Sequence, residues 1–170
     1  ASSFSARMYF MSAEYPEYVC SKYNDFFVAL VDSEAEGNPK DKNVAVYDDG
    51  QTQWPIGVNL VKVADGLFTQ CEGGPVGCQG VKGTYNGCVS TSELVGTGFD
   101  ANDANACNAV QKLAGGGTGW LTVRGNVMPG EVMEIRLAVW DTGGHIFDSL
   151  VLLDAWEWSI DPAAPGVTPG

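Results

Sequence analysis

The chain has 170 residues, 45% of them hydrophobic and 18% charged, with nine basic residues against 21 acidic ones for a formal charge of −12. That length makes one domain that can bury a core without staples. The acidic excess repels phosphate backbones and anionic lipid, which excludes nucleic-acid binding, and no window approaches the ~18 consecutive apolar residues of a membrane span, which excludes direct membrane insertion.

Twenty-two glycines and eight prolines among many Val, Thr and aromatic residues favour short strands over long helices. Residues 4–10 alternate, with Phe4, Ala6, Met8 and Phe10 on one face, and predict a first strand. An ordered loop follows over 12–20, where Pro16 forbids a regular central strand and Tyr15 and Tyr18 can pack their rings while wetting their hydroxyls. Residues 23–32 read as an apolar strand entered through Asn24 and Asp25, and 43–47 as a returning strand before the Asp48-Asp49-Gly50 turn. Residues 55–63 predict another alternating strand, ended by Asp65-Gly66.

From Leu67 to Gly119 the texture changes to Gly, Cys, Asn and Thr with little apolar periodicity. So long an irregular stretch inside a compact domain needs something to pin it. Cys71, Cys78, Cys88 and Cys107 lie within it, at spacings of x6, x9 and x18 that match no zinc module, so they are read as disulfide candidates together with Cys20. Two bridges from five cysteines leave one thiol over, buried and inert or pairing between chains, and spacing does not give the connectivity. A short helix is expected near 104–113, and Gly115-Gly116-Gly117-Thr118-Gly119 reads as a bend where backbones approach closely, because no Lys-Ser or Lys-Thr follows to make a phosphate loop.

Residues 120–124 predict a strand, and Met128-Pro129-Gly130-Glu131 a type II turn. The next segment alternates, with Met133, Ile135, Leu137 and Val139 inward and Glu134 and Arg136 outward. Residues 150–158 are apolar on both faces except at Asp154, which predicts a strand in the middle of a sheet. Between these last two runs a polar hinge carries Asp141, two glycines, His145 and Asp148 and reads as the turn of a hairpin. The architecture expected is an all-β, jelly-roll-like β-sandwich over residues 1–160, bearing the disulfide-pinned insertion, with 161–170 as a Pro-rich linker or tail.

The acids at strand ends have two readings. Glu14, Asn24, Asp25, Asp141 and Asp148 supply the hard oxygens calcium prefers, and would converge if the first loop lay beside the last hinge. Alternatively they cap turns and are satisfied by backbone N–H groups. Catalysis is not expected, because the single histidine, His145, sits on a turn with no Gly-x-Ser-x-Gly elbow around Ser149 and no pair of acids stands out as a hydrolytic couple.

Glu-Tyr-Pro-Glu-Tyr-Val from Glu14, Tyr-Asn-Asp-Phe-Phe from Tyr23, Asp-Lys-Asn-Val-Ala from Asp41, Gly-Gly-Thr-Gly-Trp-Leu from Gly116, Met-Pro-Gly-Glu from Met128, and Trp140-Asp141-Thr142 with Phe-Asp-Ser-Leu-Val-Leu-Leu-Asp from Phe147 occur in the order seen in choice-of-anchor L domains of bacterial surface proteins. The resemblance runs from Phe4 to Trp158, and the cysteine-rich version is similar to those of myxobacteria. It implies a secreted or cell-surface β-sandwich module ahead of a C-terminal anchor. The Tyr-Asn-Asp-Phe element is more distantly similar to one in calcium-dependent peptide-binding domains of bacterial adhesins. Two functions are therefore expected of the chain. One is a recognition module taking a peptide or glycan, with Tyr15, Tyr18 and Trp54 as aromatic platforms. The other is a structural subunit of a surface layer or filament, whose Pro-rich tail or terminal strands engage neighbouring copies by strand addition. The start, Ala1-Ser2-Ser3, fits the end left by signal-peptide cleavage.

Overall fold

The structure, a computed structural model, describes residues 1–64, 66–100, 107, 115–144 and 146–170. Its strands, in chain order, are β1 (Ser3–Ser12), β2 (Phe26–Asp32), β3 (Val46–Asp48), β4 (Gln53–Gly57), β5 (Gly74–Val76), β6 (Gly83–Tyr85), β7 (Gly116–Gly117), β8 (Leu121–Asn126), β9 (Glu134–Trp140), β10 (Ser149–Ser159) and β11 (Gly166–Pro169). One sheet has the order β10-β1-β8-β11 with β7 also on β1, and the second has the order β3-β4-β2-β9. All these strand pairs are antiparallel, and the all-β sandwich read from the sequence is the fold observed.

The core between the sheets follows from the period-2 patterns. Phe4, Ala6, Met8 and Phe10 of β1 and Val123 of β8 meet Phe27, Ala29 and Val31 of β2 and Ile56 of β4, all buried in one cluster. The Met128–Glu131 turn closes as expected: the Glu131 N–H donates to the Met128 carbonyl at 3.2 Å, and Gly130 takes the positive φ of +89° that a type II turn requires at that position.

Four expectations are corrected. The strand read over 55–63 stops at Gly57 and turns into a 3₁₀ helix, Val58–Lys62, which buries Val58, Leu60 and Val61. Side chains draw it off the sheet: Asn24 Oδ1 accepts the Asn59 N–H at 3.1 Å, and Asn59 Oδ1 accepts the Cys20 N–H at 2.6 Å. The strand expected in the middle of a sheet, β10, lies at an edge, and β1 takes the central place. The outer face of β1 is apolar too, because Leu94 and Phe99 of the insertion fold over Tyr9 and Met11 to make a second buried cluster. Third, β9 and β10 are not a hairpin; they belong to different sheets, and 141–148 is an arch between them. Finally, 161–170 is no free linker. Val167 is buried, β11 pairs with β8, and the Asn126 side chain accepts the Ala163 N–H at 2.8 Å while donating to the Ala163 carbonyl at 3.1 Å.

The insertion is pinned by disulfides Cys71–Cys88 and Cys78–Cys107, and Cys20 is the half-buried free thiol. The Tyr85 hydroxyl donates to the Phe68 carbonyl and the Tyr15 hydroxyl to that of Glu72, each at 2.7 Å. A Cβ on Gly116 would collide with the Phe68 ring, which is the close approach expected of the glycine run. The helix expected near 104–113 lies outside the described residues, apart from Cys107.

Candidate functional site

The strand register brings the two ends of the chain to one place. Ser12, the last residue of β1, pairs with Ser149, the first of β10, and Phe26, the first of β2, pairs with Trp140, the last of β9. The loop 13–25 and the arch 141–148 therefore cross between the sheets side by side at the same end of the sandwich, and the Ala13 N–H donates to the Asp148 carbonyl at 2.9 Å.

Asp25 is the joint. Only 1% exposed, its Oδ1 accepts the Thr142 N–H at 3.2 Å and its Oδ2 accepts the Ser149 hydroxyl at 2.7 Å, which lies 2.8 Å from the Ser12 hydroxyl. The neighbouring Asn24 N–H donates to Thr142 Oγ1 at 2.8 Å, and Glu14 Oε2 accepts the Asp25 N–H at 3.0 Å. One buried carboxylate thus holds both the arch and the start of β10 against the first loop.

Above this joint is a recess of about 190 Å³ with Glu14 and Asp141 at its acidic side and Tyr18, Tyr23 and Phe147 as aromatic walls. The rings brace one another, Tyr18 edge-on to Tyr23 at 5.2 Å between centroids and tilted against Phe147 at 5.4 Å. Gly143, at φ +83°, passes close over Tyr23, where a Cβ would come within 3.0 Å of the ring.

The acids strain against one another. Burial pushes the Glu14 carboxyl up to about 7; the Asp25 N–H bond opposes this, and repulsion from Asp25 and Asp141 adds to it. Burial also raises Asp25, offset by its bonds from Ser149 and Thr142 and reinforced by Asp141 and Asp148. The described ion pairs, Lys42–Asp32 and Arg136–Glu134, both lie elsewhere.

A carboxyl raised in the folded state stabilises the protein below its ordinary value of 4.5, and that contribution is lost as pH rises through about 7. Glu14→Gln keeps the acceptor for the Asp25 N–H and removes the charge. The variant is expected to be more stable than the parent by about 2 kcal/mol at pH 8, with the gap closing towards pH 5. Urea melts at the two pH values check this, and a gap independent of pH would contradict it.

Of the residues anticipated as calcium ligands, Glu14 and Asp141 face the recess, Asp25 lies beneath as a buttress, Asp148 is near enough to raise Asp25, and Asn24 spends its side-chain oxygen on the Asn59 N–H. Among the described residues no group of three or more His, Cys, Asp or Glu side chains is set to hold a metal. Of the anticipated aromatic platforms Tyr18 is in the recess wall. Tyr15 is corrected: it is 1% exposed and packs on Phe68 at 5.2 Å, because its ring is needed to seat the insertion. Trp54 is on the β3–β4 hairpin, its Nε1–H donating to Asp49 Oδ2 at 3.0 Å, and does not line the recess. Sequence reasoning missed Thr142 and Ser149 as the hydrogen-bond partners of the Asp25 carboxylate, Ser12 behind Ser149, and Tyr23 and Phe147 as walls. The available signal was a hydroxyl residue at each strand end flanking an acid.

The fold and this site define an all-β sandwich domain with a loop-built recess at one end. Residues 1–158 match the model of the choice-of-anchor L domain, and the chain belongs to that family, one of surface-associated modules and not of enzymes. No curated protein and no solved structure matches the chain. No described helix is long and apolar enough to cross a membrane.

Proposed function

We propose that the chain is a non-enzymatic recognition module of the bacterial exterior, which grips a peptide or glycan in the Glu14–Asp141 recess with calcium as the bridging ion. The observation that carries the reading is the convergence of Glu14 and Asp141 on one recess beside the buried Asp25, with the Glu14 carboxyl raised to about 7 first by burial and further by repulsion from Asp25 and Asp141. A cation in the recess relieves that repulsion, and a hard divalent ion suits carboxylate oxygens. Two protein carboxylates fall short of the six to eight oxygens calcium takes, so waters and the ligand's own oxygens complete the shell. Tyr18, Tyr23 and Phe147 give apolar faces beside it for a sugar ring or an aliphatic side chain. Two disulfides support an oxidising location outside the cytosol, in keeping with a secreted or cell-surface family.

The test is a melting curve in chelator and then in 1 mM calcium, followed by glycan and peptide arrays with and without the ion. A site with a Kd of about 10 µM stabilises by about 2.7 kcal/mol, an upward shift of about 5 °C or more. The shift is expected to be larger at pH 8 than at pH 5, because protons compete for Glu14. Tyr18→Ala is expected to abolish array binding while leaving the calcium shift in place. An unmoved melting curve with no array ligand would reject the proposal.

A further inference from the structure

The sandwich is closed on one side and open on the other. At the closed side the outer strands are β11, four residues ending in Pro169, and β3, three residues, and they lie against each other. At the open side stand β9, seven residues, and β10, eleven residues, each with one strand neighbour and one unpaired backbone edge among the described residues.

The side chains at this open side face the core direction and are still exposed. On β9, Leu137 and Val139 pair with the buried positions Ala29 and Phe27, yet are 47% and 43% exposed. On β10 the inward set is Val151 and Leu153, and beyond it Trp156 and Trp158. The change from odd to even positions is made by a bulge at Ala155, where the pairing steps from Arg7↔Asp154 to Ser5↔Glu157. Trp156 stacks on Phe4 at 4.5 Å and is still 41% exposed. Between the strands is a cleft of about 330 Å³ walled by Phe4, Phe27, Leu137, Leu153 and Trp156. The outer face of β10 adds Leu150 and Leu152, again two-fifths exposed.

Taken over both faces of the two strands, eight large apolar side chains, Trp140 among them, are each two-fifths or more exposed, together on the order of the ~800 Å² that each partner gives to a stable interface. Charge is sparse there for so acidic a chain: Glu134 is paired with Arg136, leaving Asp154 and Glu157. Interfaces are depleted in charge at their centres in this way.

We infer that this open side is an interface between two copies of the chain, joined by antiparallel pairing of the regular half of β10, Ser149 to Asp154, about a two-fold axis. Identical edges meeting about a two-fold axis pair antiparallel, which continues the antiparallel sheet. A register centred near Leu152 sets each Asp154 opposite an apolar residue and not opposite its twin. The bulge at Ala155 limits the pairing to that half, and Trp156 and Trp158 then close over the cleft. Because the opposite edges are short and one ends in proline, the contact closes as a dimer and does not propagate into a filament. The cleft shares no lining residue with the recess.

The test is sedimentation velocity of the full chain from 1 to 100 µM, in 50 and 500 mM NaCl. Expected is a species of twice 18.0 kDa, with a Kd that falls as salt screens the repulsion between two acidic chains. Leu152→Lys is expected to weaken the dimer at least tenfold with its melting curve kept, and Leu150→Lys serves if the first variant folds poorly. A monomer at every concentration, an open-ended polymer, a dimer dissolved by salt, or a dimer that a folded lysine variant leaves intact would each overturn the inference.

Discussion

Replacing Asp25 with alanine is expected to lower the unfolding free energy by about 3 kcal/mol. The carboxylate is buried and receives the Thr142 N–H and the Ser149 hydroxyl, so truncation leaves two donors without an acceptor where water does not reach easily. Asp25→Asn is expected to cost only about 1 kcal/mol. Its carbonyl keeps one of the donors, its amide can donate to the Ser149 oxygen, and it removes a charge that burial and the nearby acids disfavour. Denaturant melts of the two variants at pH 7 provide the check, and equal losses would show that the carboxylate does not tie the arch to the first loop. The contrast with Glu14→Gln is diagnostic, since Asp25 holds structure together while the charge of Glu14 opposes folding above neutrality.

Reducing both disulfides has the second large effect. The bridges join cysteines 17 and 29 residues apart, and each taken alone should contribute about 3 kcal/mol by restricting the unfolded chain, or about 6–12 °C in melting temperature. The loss reaches the core, because Phe68, three residues before the first bridge, packs on Tyr15, and the bridged segment carries Leu94 and Phe99 over the outer face of β1. In reductant the reactive thiols should rise from one, Cys20, to five, and proteolysis should open first between residues 67 and 99. An unchanged melting curve with five free thiols would mean that packing alone holds the insertion.

Local rules account for what could be read directly. Alternation at Phe4, Ala6, Met8 and Phe10 marks a strand wherever it ends up in the sheet, and Pro129-Gly130 makes a type II turn because only glycine takes that φ cheaply. The condition set for the acids to converge, the first loop lying beside the segment from Asp141 to Asp148, is met in the fold through the Ala13–Asp148 and Thr142–Asp25 hydrogen bonds.

What failed were inferences about the neighbours of whole segments. The doubly apolar β10 was expected in mid-sheet because burial on both faces is the usual reason for such a pattern, yet it is an edge, and its exposed face is now the proposed dimer contact. Tyr15 looked like a surface platform and is core, since no local pattern announces that Phe68 returns to meet it. The tail looked like a linker until Asn126 and β8 supplied its backbone partners. The sequence by itself determined which segments are extended, where the chain turns, and which acids stand at strand ends, because these depend on φ, side-chain period and residue type over a few positions. Only the tertiary structure decided strand order, cysteine pairing, and which carboxylate buttresses and which faces the recess, because each rests on contacts between residues far apart in the chain.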